Sequence, residues 1–373
     1  MQGIYLHIPF CRQACRYCDF FFSVSLRYVD DYVENLIREI ELIAGQRRRT
    51  EVETLYLGGG TPSVLSDQHL EKIVEAVHKH YTFREGAEWT IECNPDDLSP
   101  VYLKQLRNKG FNRISIGIQS FHEKDLELMR RSHTSIQAEQ SVRDAAAGGF
   151  ENITMDLIYG IPGQSLREWE DNIEKALALP VSHISAYHLT FEPGTVFDHW
   201  RKKGRLLPVH EEESVSQFRL LRERLPDRGF DHYEISNFAL QGNMSAHNLL
   251  YWSGKSYTGF GPSAHSYDGT DRSWNVSSLK KYMEGISAGA GFNETEILSH
   301  QERYHDYLIT SLRTRWGADP EFISQQFGDE IFRHFDMESK PFLEEGTLWT
   351  IDGKVAIHPD RWLLTDHILR ELF

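Results

Sequence analysis

Through the first 190 residues, short apolar and β-branched runs alternate with longer stretches whose apolar positions recur every three or four residues. The short runs fall at 4–8, 54–57, 89–92, 113–118, 153–159 and 183–189, and they predict strands. The longer stretches at 30–44, 67–80, 100–108, 136–147 and 166–179 predict amphipathic helices. Several carry start signals: Ser66 as N-cap, Ser99 ahead of Pro100, and Ser165 with Glu168 as a capping box. Alternation repeated this often means βαβ units and a parallel sheet. The glycines at 58–60, Glu92, Gln119 and Asp156 all sit at or just past the C-terminal ends of predicted strands. A barrel gathers its working groups on that one face. The expected fold is therefore α/β, a partial (βα)6 TIM-like barrel rather than an open doubly wound sheet.

Residues 237–271 are rich in Gly, Ser, Asn and aromatic side chains and lack regular periodicity. They read as a loop-rich extension of the barrel, and loops of that length in a compact domain are usually functional. From 301 onward the pattern becomes helix, helix, a hairpin around Ile351-Asp352-Gly353-Lys354, and a last helix. The boundary is placed near 295, giving a barrel over 1–295 and a small winged-helix-like α+β domain over 296–373. Residues 301–373 carry 14 acidic and 8 basic residues, which argues against a DNA reader.

Charge sharpens the exclusion. With 55 acidic against 40 basic residues the formal net charge is −15, so nucleic acid is not an expected partner. The tight basic run Arg47, Arg48 and Arg49 reads as a solvated helix end rather than a binding patch. No apolar run approaches the roughly 20 residues that span a bilayer, and no amphipathic basic helix supports membrane docking. The start, with His7 and Pro9 leading straight into cysteines, is neither a secretory signal nor a transit peptide, and the protein is expected in the cytoplasm.

Three of the four cysteines fall within eight residues, Cys11, Cys15 and Cys18, in a C-x3-C-x2-C spacing just after the first strand. Crowded thiolates in a reducing compartment suit iron–sulfur or zinc. Three thiolates ligate three irons of a cubane and leave the fourth open. The alternative is a zinc knuckle completed by His7 or Cys93, although zinc motifs usually add a second distant pair; Cys93 alone reads as a buried free thiol. The triplet Gly58-Gly59-Gly60 before Thr61 is either a tight turn or a place where backbone meets a ligand. It is neither a P-loop nor a Rossmann fingerprint. Glu92 and Asp156 taken singly are equally compatible with internal ion pairs.

The cysteine spacing after the first strand of a βα protein resembles the radical S-adenosylmethionine (SAM) superfamily. Its members bind the amino and carboxylate groups of SAM to the open iron, and an electron from the cluster cleaves SAM to methionine and a 5′-deoxyadenosyl radical. The runs Thr90–Pro95, Ser115–Phe121 and Asp156–Gly163 look like those of oxygen-independent coproporphyrinogen III oxidases and their relatives. The resemblance implies a [4Fe–4S] cluster on Cys11, Cys15 and Cys18, and SAM contacts at Tyr5, Tyr17, Gly59, Gly60, Thr61, Glu92, Gln119, Arg131 and Asp156.

Within that group the chain departs from the oxidases. It begins ten residues before Cys11, where an oxidase has an extended segment, and it reads Cys18-Asp19-Phe20 where an oxidase continues C-x-C. It also contains His247-Asn248-Leu249-Leu250-Tyr251-Trp252, fitting the HNxxYW signature of haem chaperones. The resemblance then implies haem as cargo, with His247 as an iron ligand, an unidentified acceptor protein and an electron donor for the cluster. The other reading of the motif is a buried polar seal between the extension and the barrel. The competing function is oxidative decarboxylation of coproporphyrinogen III. No catalytic residue is assigned.

Overall fold

A computed structural model describes residues 2–45 and 51–373, and the basic run Arg47, Arg48 and Arg49 lies outside the described residues. Six parallel strands form the centre: β1 (Gln2–Ile8), β2 (Glu51–Gly59), β3 (Thr82–Cys93), β4 (Arg113–Gln119), β5 (Asn152–Tyr159) and β6 (His183–His188). They lie side by side in chain order. An order that never reverses keeps the connecting helices on one face when each crossover has the usual right hand, as in a barrel wall; a doubly wound sheet would reverse. The connecting helices are α1 (Val29–Ala44), α2 (Asp67–His80), α3 (Pro100–Asn108), α4 (Glu123–Met129), α5 (Ser135–Ala147) and α6 (Leu166–Leu177). Ser66, Ser99 and Ser165 cap their helices as expected. The short α4 escaped the periodicity because seven residues span barely two turns.

The strands divide their side chains by the period of two. Ile91, Ile114, Ile116, Ile153, Met155, Leu157 and Ile184 are sealed in one core with Leu70, Leu103, Val142 and Trp169 from the helices. The alternate positions Thr90, Glu92, Arg113, Ser115, Thr154, Asp156, His183 and Ser185 point inward and line a cavity. The barrel interior is thus polar, and the apolar core lies between sheet and helices.

The segment 237–271 is not the loop expected. It holds strand Asn237–Ala239 antiparallel to β6, helix Ala246–Trp252, strand Tyr257–Phe260 parallel to β1, and strand His265–Tyr267. Elements of three to seven residues are too short to show a period. The segment carries the chain from one edge of the barrel wall to the other. Strands Arg272–Asn275 and Asn293–Glu296 then extend the sheet, which ends just before helix His300–Leu312.

Glu39 on α1 secures this extension. Fully buried, it accepts from the Gly261 amide at 2.8 Å, from the Asn275 amide group at 2.6 Å and from the Tyr282 hydroxyl. Burial pushes its carboxyl up to about 7. The C-terminal part follows the expected order, with Pro320–Glu344 bent at Gly328, hairpin Leu348–Ile351 and Lys354–Ile357, and final helix Thr365–Leu372. Asp352 and Gly353 close the hairpin with φ of 49° and 78°, as an Asp-Gly turn requires. Backbone bonds from Ile235 to Arg313 (3.0 Å) and from Arg315 to Tyr233 (3.1 Å) join it to the barrel. Among the described residues no helix is long and apolar enough to cross a membrane.

Replacing Glu39 by Ala takes the acceptor from the buried Gly261 amide and Tyr282 hydroxyl and one of two from Asn275, so it should destabilise the protein by about 3 kcal/mol at pH 5. Because the folded carboxyl titrates near 7 and the unfolded one near 4.5, the native state holds this proton more tightly and stability falls as pH rises through that window. Denaturant titrations should therefore show the Glu39→Ala penalty shrinking between pH 5 and pH 8. A penalty that grows with pH would contradict this assignment.

Candidate cofactor site

Past Ile8 the chain turns through Pro9 and Phe10 into the cysteine loop, and the glycines at the end of β2 fasten that turn. Gly60 donates its amide to the Ile8 carbonyl at 2.9 Å, and Thr61 donates to Phe10 at 2.8 Å. A Cβ on Gly60 would stand 2.8–2.9 Å from the Ile8 and Phe10 backbone, so only glycine permits the approach. Gly59 has φ of +106°, and a Cβ there would meet the His7 ring at 2.6 Å. The loop closes on itself through Cys11 to Ser23 (3.0 Å) and Ser23 to Pro9 (2.7 Å).

Cys11, Cys15 and Cys18 open into one cavity of about 400 Å³ at the C-terminal ends of the strands. The Thr61 hydroxyl donates to Cys11 Sγ at 3.3 Å, and Arg131 Nη1 donates to Cys15 Sγ at 3.3 Å. Both contacts suit anionic sulfur. Burial is the main cause that pushes the Cys11 thiol up and that of Cys18 to about 12, and a cation beside the sulfurs favours the thiolate. Among the described residues no three His, Cys, Asp or Glu side chains are close enough to hold one ion. Three thiols lining one cavity, two of them accepting from polar donors, suit a cluster that takes one thiolate per iron. Of the two donors that could complete a zinc knuckle, His7 is already hydrogen-bonded at both nitrogens, to the Tyr5 hydroxyl at 3.1 Å and the Phe21 carbonyl at 3.0 Å. Cys93 lines the cavity, with its thiol pushed well up by burial.

Eight of the nine expected SAM positions line this cavity: Tyr17, Gly59, Gly60, Thr61, Glu92, Gln119, Arg131 and Asp156. Tyr5 does not; its ring stands behind the wall, 6.0 Å from that of Tyr56, which takes the lining position. Glu92 accepts from the Tyr56 hydroxyl at 2.8 Å and the Gly59 amide at 3.1 Å. With the Gly59, Gly60 and Thr61 amides all donated within the protein, this segment can offer a ligand only carbonyl oxygen, an acceptor for an ammonium group. Asp156 accepts from the Ser115 hydroxyl at 3.1 Å. Burial pushes Glu92 up to about 7 and Asp156 to about 6, so both favour a cation or hydroxyl donors nearby. Arg131 donates to Asn94 Oδ1 at 2.7 Å and the Gly117 carbonyl at 2.9 Å, while its buried Nε has no partner. Gln119 sits at a β4 irregularity with φ of 67°, a strained backbone at a binding face. A cationic amino acid–nucleoside such as SAM matches this donor and acceptor set.

His247 stands elsewhere. It is 1% exposed, with Nδ1 on the Thr54 hydroxyl at 2.7 Å and Nε2 on the Tyr251 hydroxyl at 2.8 Å, and its ring stacks on Tyr56 at 4.9 Å. Burial lowers its pKa to about 3. With both nitrogens engaged, His247 could ligate haem iron only by giving up one of these two bonds. Glu88 accepts from the Ala246 and His247 amides at 3.1 and 3.0 Å, so the motif seals the barrel interior. Its neighbours Ser245 and Asn248 reach the cavity instead. Tyr56, Thr90, Asn94, Arg113, Ser115 and Ser185 also line the cavity and were not singled out from the sequence.

Gly60→Ala should push the cysteine loop off the end of β2. The expected result is a loss of about 1–3 kcal/mol of stability together with reduced iron and sulfide uptake on anaerobic reconstitution. Unchanged iron content would mean the close approach does not position the loop.

The Radical SAM superfamily matches residues 5–176, and the HemN C-terminal domain matches residues 298–367. The Heme chaperone HemW of Bacillus subtilis is 34% identical over 371 residues, covering 99% of this chain and 98% of that one. Its counterpart in Synechocystis is 41% identical over 396 residues, covering 99% and 95%. The coproporphyrinogen III oxidase HemN of Escherichia coli, a radical SAM enzyme, superposes with a TM-score of 0.87 over 100% of this chain and 89% of its own; at 23% identity it shows the fold. Identity sustained from end to end, on a barrel that brings three cysteines to a cavity, places this chain in the HemW family of the radical SAM superfamily.

Proposed function

We propose that this chain is a haem chaperone that carries a [4Fe–4S] cluster and SAM, binds haem as cargo and passes it to an acceptor protein in the cytoplasm. The observation that carries the proposal is the end-to-end identity, 34% and 41% over at least 95% of two heme chaperones. Cys11, Cys15 and Cys18 would hold the cluster, leaving one iron facing the cavity. When bound, the cluster supplies the electron that cleaves SAM, and an electron donor must replenish it. The protein's own part is positional. Arg131 would hold a carboxylate, the Gly59 and Gly60 carbonyls would accept from an ammonium, and Glu92 and Asp156 would accept from hydroxyls or balance positive charge. We place the domain boundary between Glu296 and His300, where the large sheet ends.

The cargo would rest at the mouth of the cavity rather than on His247. Phe20 and Tyr187 both line that cavity and are 65% and 46% exposed, offering aromatic faces for a porphyrin. Purified protein titrated with haemin should give a saturable Soret band. His247→Ala should leave that spectrum unchanged, and Phe20→Ser should weaken binding severalfold. Wild-type protein that forms protoporphyrinogen IX from coproporphyrinogen III and binds no haem would replace the chaperone with the oxidase. A Soret shift in His247→Ala would restore His247 as ligand.

A further inference from the structure

Between the second and third cysteines stands Arg16, which belongs to neither the cluster ligands nor the SAM set. Its guanidinium donates from Nη1 to the carbonyls of Glu127 at 3.1 Å and Leu128 at 3.0 Å, in the last turn of α4. Its own amide donates to Met129 at 3.1 Å, the next carbonyl of that helix end. Three carbonyls that a helix C-terminus leaves available are thus met by one loop residue. Gln13 adds a fourth contact, donating to the Arg130 carbonyl at 2.7 Å. Arg130 lies in the left-handed region with φ of 58°, which ends α4 and turns the chain so that Arg131 reaches back to Cys15.

The other face of Arg16 is covered too. The guanidinium lies 4.9 Å from the Trp200 ring, and the Arg16 carbonyl accepts from the Phe197 amide at 3.1 Å. Both partners belong to helix Val196–Lys202, which follows β6. Phe197 packs in a small apolar cluster of its own with Leu126, Met129, Ile158, Ile161 and Leu189, separate from the main core. The cysteine loop is therefore gripped between α4 and helix Val196–Lys202, far along the chain from each.

We propose that Arg16 is a positioning residue for the cluster: it clamps the Cys11–Cys18 loop to the C-terminus of α4 and, through Trp200, to helix Val196–Lys202. The planar guanidinium can bond two carbonyls from Nη1 and still lay its face on an indole, which the compact, strongly hydrated lysine ammonium does less well. The clamp holds Cys15 opposite Arg131, so the loop keeps its shape before any iron arrives. The proposal rests on the cofactor reading above only for what the loop would hold.

Two measurements on the full-length protein test it. In the reconstituted holoprotein, Arg16→Ala should speed chelator-driven iron release by about tenfold or more, the scale of losing charge-assisted bonds to two carbonyls. In the apoprotein, amide hydrogen exchange across residues 11–18 should rise by a similar factor while the β3–β5 amides stay as in the wild type. Arg16→Lys should recover only part of both effects, and Trp200→Leu should shift both in the same direction by less. If Arg16→Ala does not fold, Trp200→Leu decides. Wild-type exchange and wild-type iron release, even with a lowered melting temperature, would overturn the clamp. A wild-type protein that takes up no cluster would instead defeat the cofactor reading, and the exchange measurement would still decide the clamp.

Discussion

Two amide hydrogen bonds, Gly60 to Ile8 and Thr61 to Phe10, join the end of β2 to the turn that follows β1, and the cofactor site is built out from them. They draw two backbones so close that no Cβ fits at residue 60. Held there, the cysteine loop lines the cavity with Cys11, Cys15 and Cys18. The same stretch of β2 sends the Gly59 amide to Glu92 and the Thr61 hydroxyl to Cys11. These contacts thus tie both the cysteine loop and the Glu92 carboxylate to the same end of β2.

The interior below the loop is polar because strands with a period of two present one row to the helices and the other to the cavity. Apolar residues fill the first row. Thr90, Arg113, Ser115, Thr154, His183 and Ser185 fill the second. Such a lining is costly without partners, and the protein leaves some of it unmatched: Thr90 Oγ1 and His183 Nδ1 are buried without a bond. Glu92 and Asp156, both pushed up by burial, keep protons to higher pH than exposed carboxyls do. A cavity holding two such carboxyls opposite a buried arginine is prepared for a ligand carrying both a positive centre and a carboxylate.

Much of this was legible in the sequence. Six strands and five long helices show their periods, and the cysteine spacing after β1 marks the site because thiolates so crowded serve few other purposes. The inward row was equally legible in principle, since Thr90 and Glu92, or Thr154 and Asp156, alternate with buried aliphatics. It passes unnoticed when polar residues in a strand are assumed to face solvent. His247 shows the opposite limit. Its i, i+4 relation to Tyr251 is real, as the 2.8 Å bond confirms, but spacing along a helix says nothing about what that face meets. It meets Thr54 and Tyr56 of β2, a contact nearly 200 residues away in sequence. The role of Arg16 was hidden for the same reason, since α4 and Trp200 come to it only through the fold.

The central claim is that this barrel holds a cluster with one iron open to a ligand in the cavity. The most direct measurement is the electron paramagnetic resonance spectrum of the reduced, anaerobically reconstituted protein with and without SAM. A change in g-values on adding SAM, lost when Asp156 is replaced by Leu, is the predicted result. Identical spectra with and without SAM in the wild type would contradict the account.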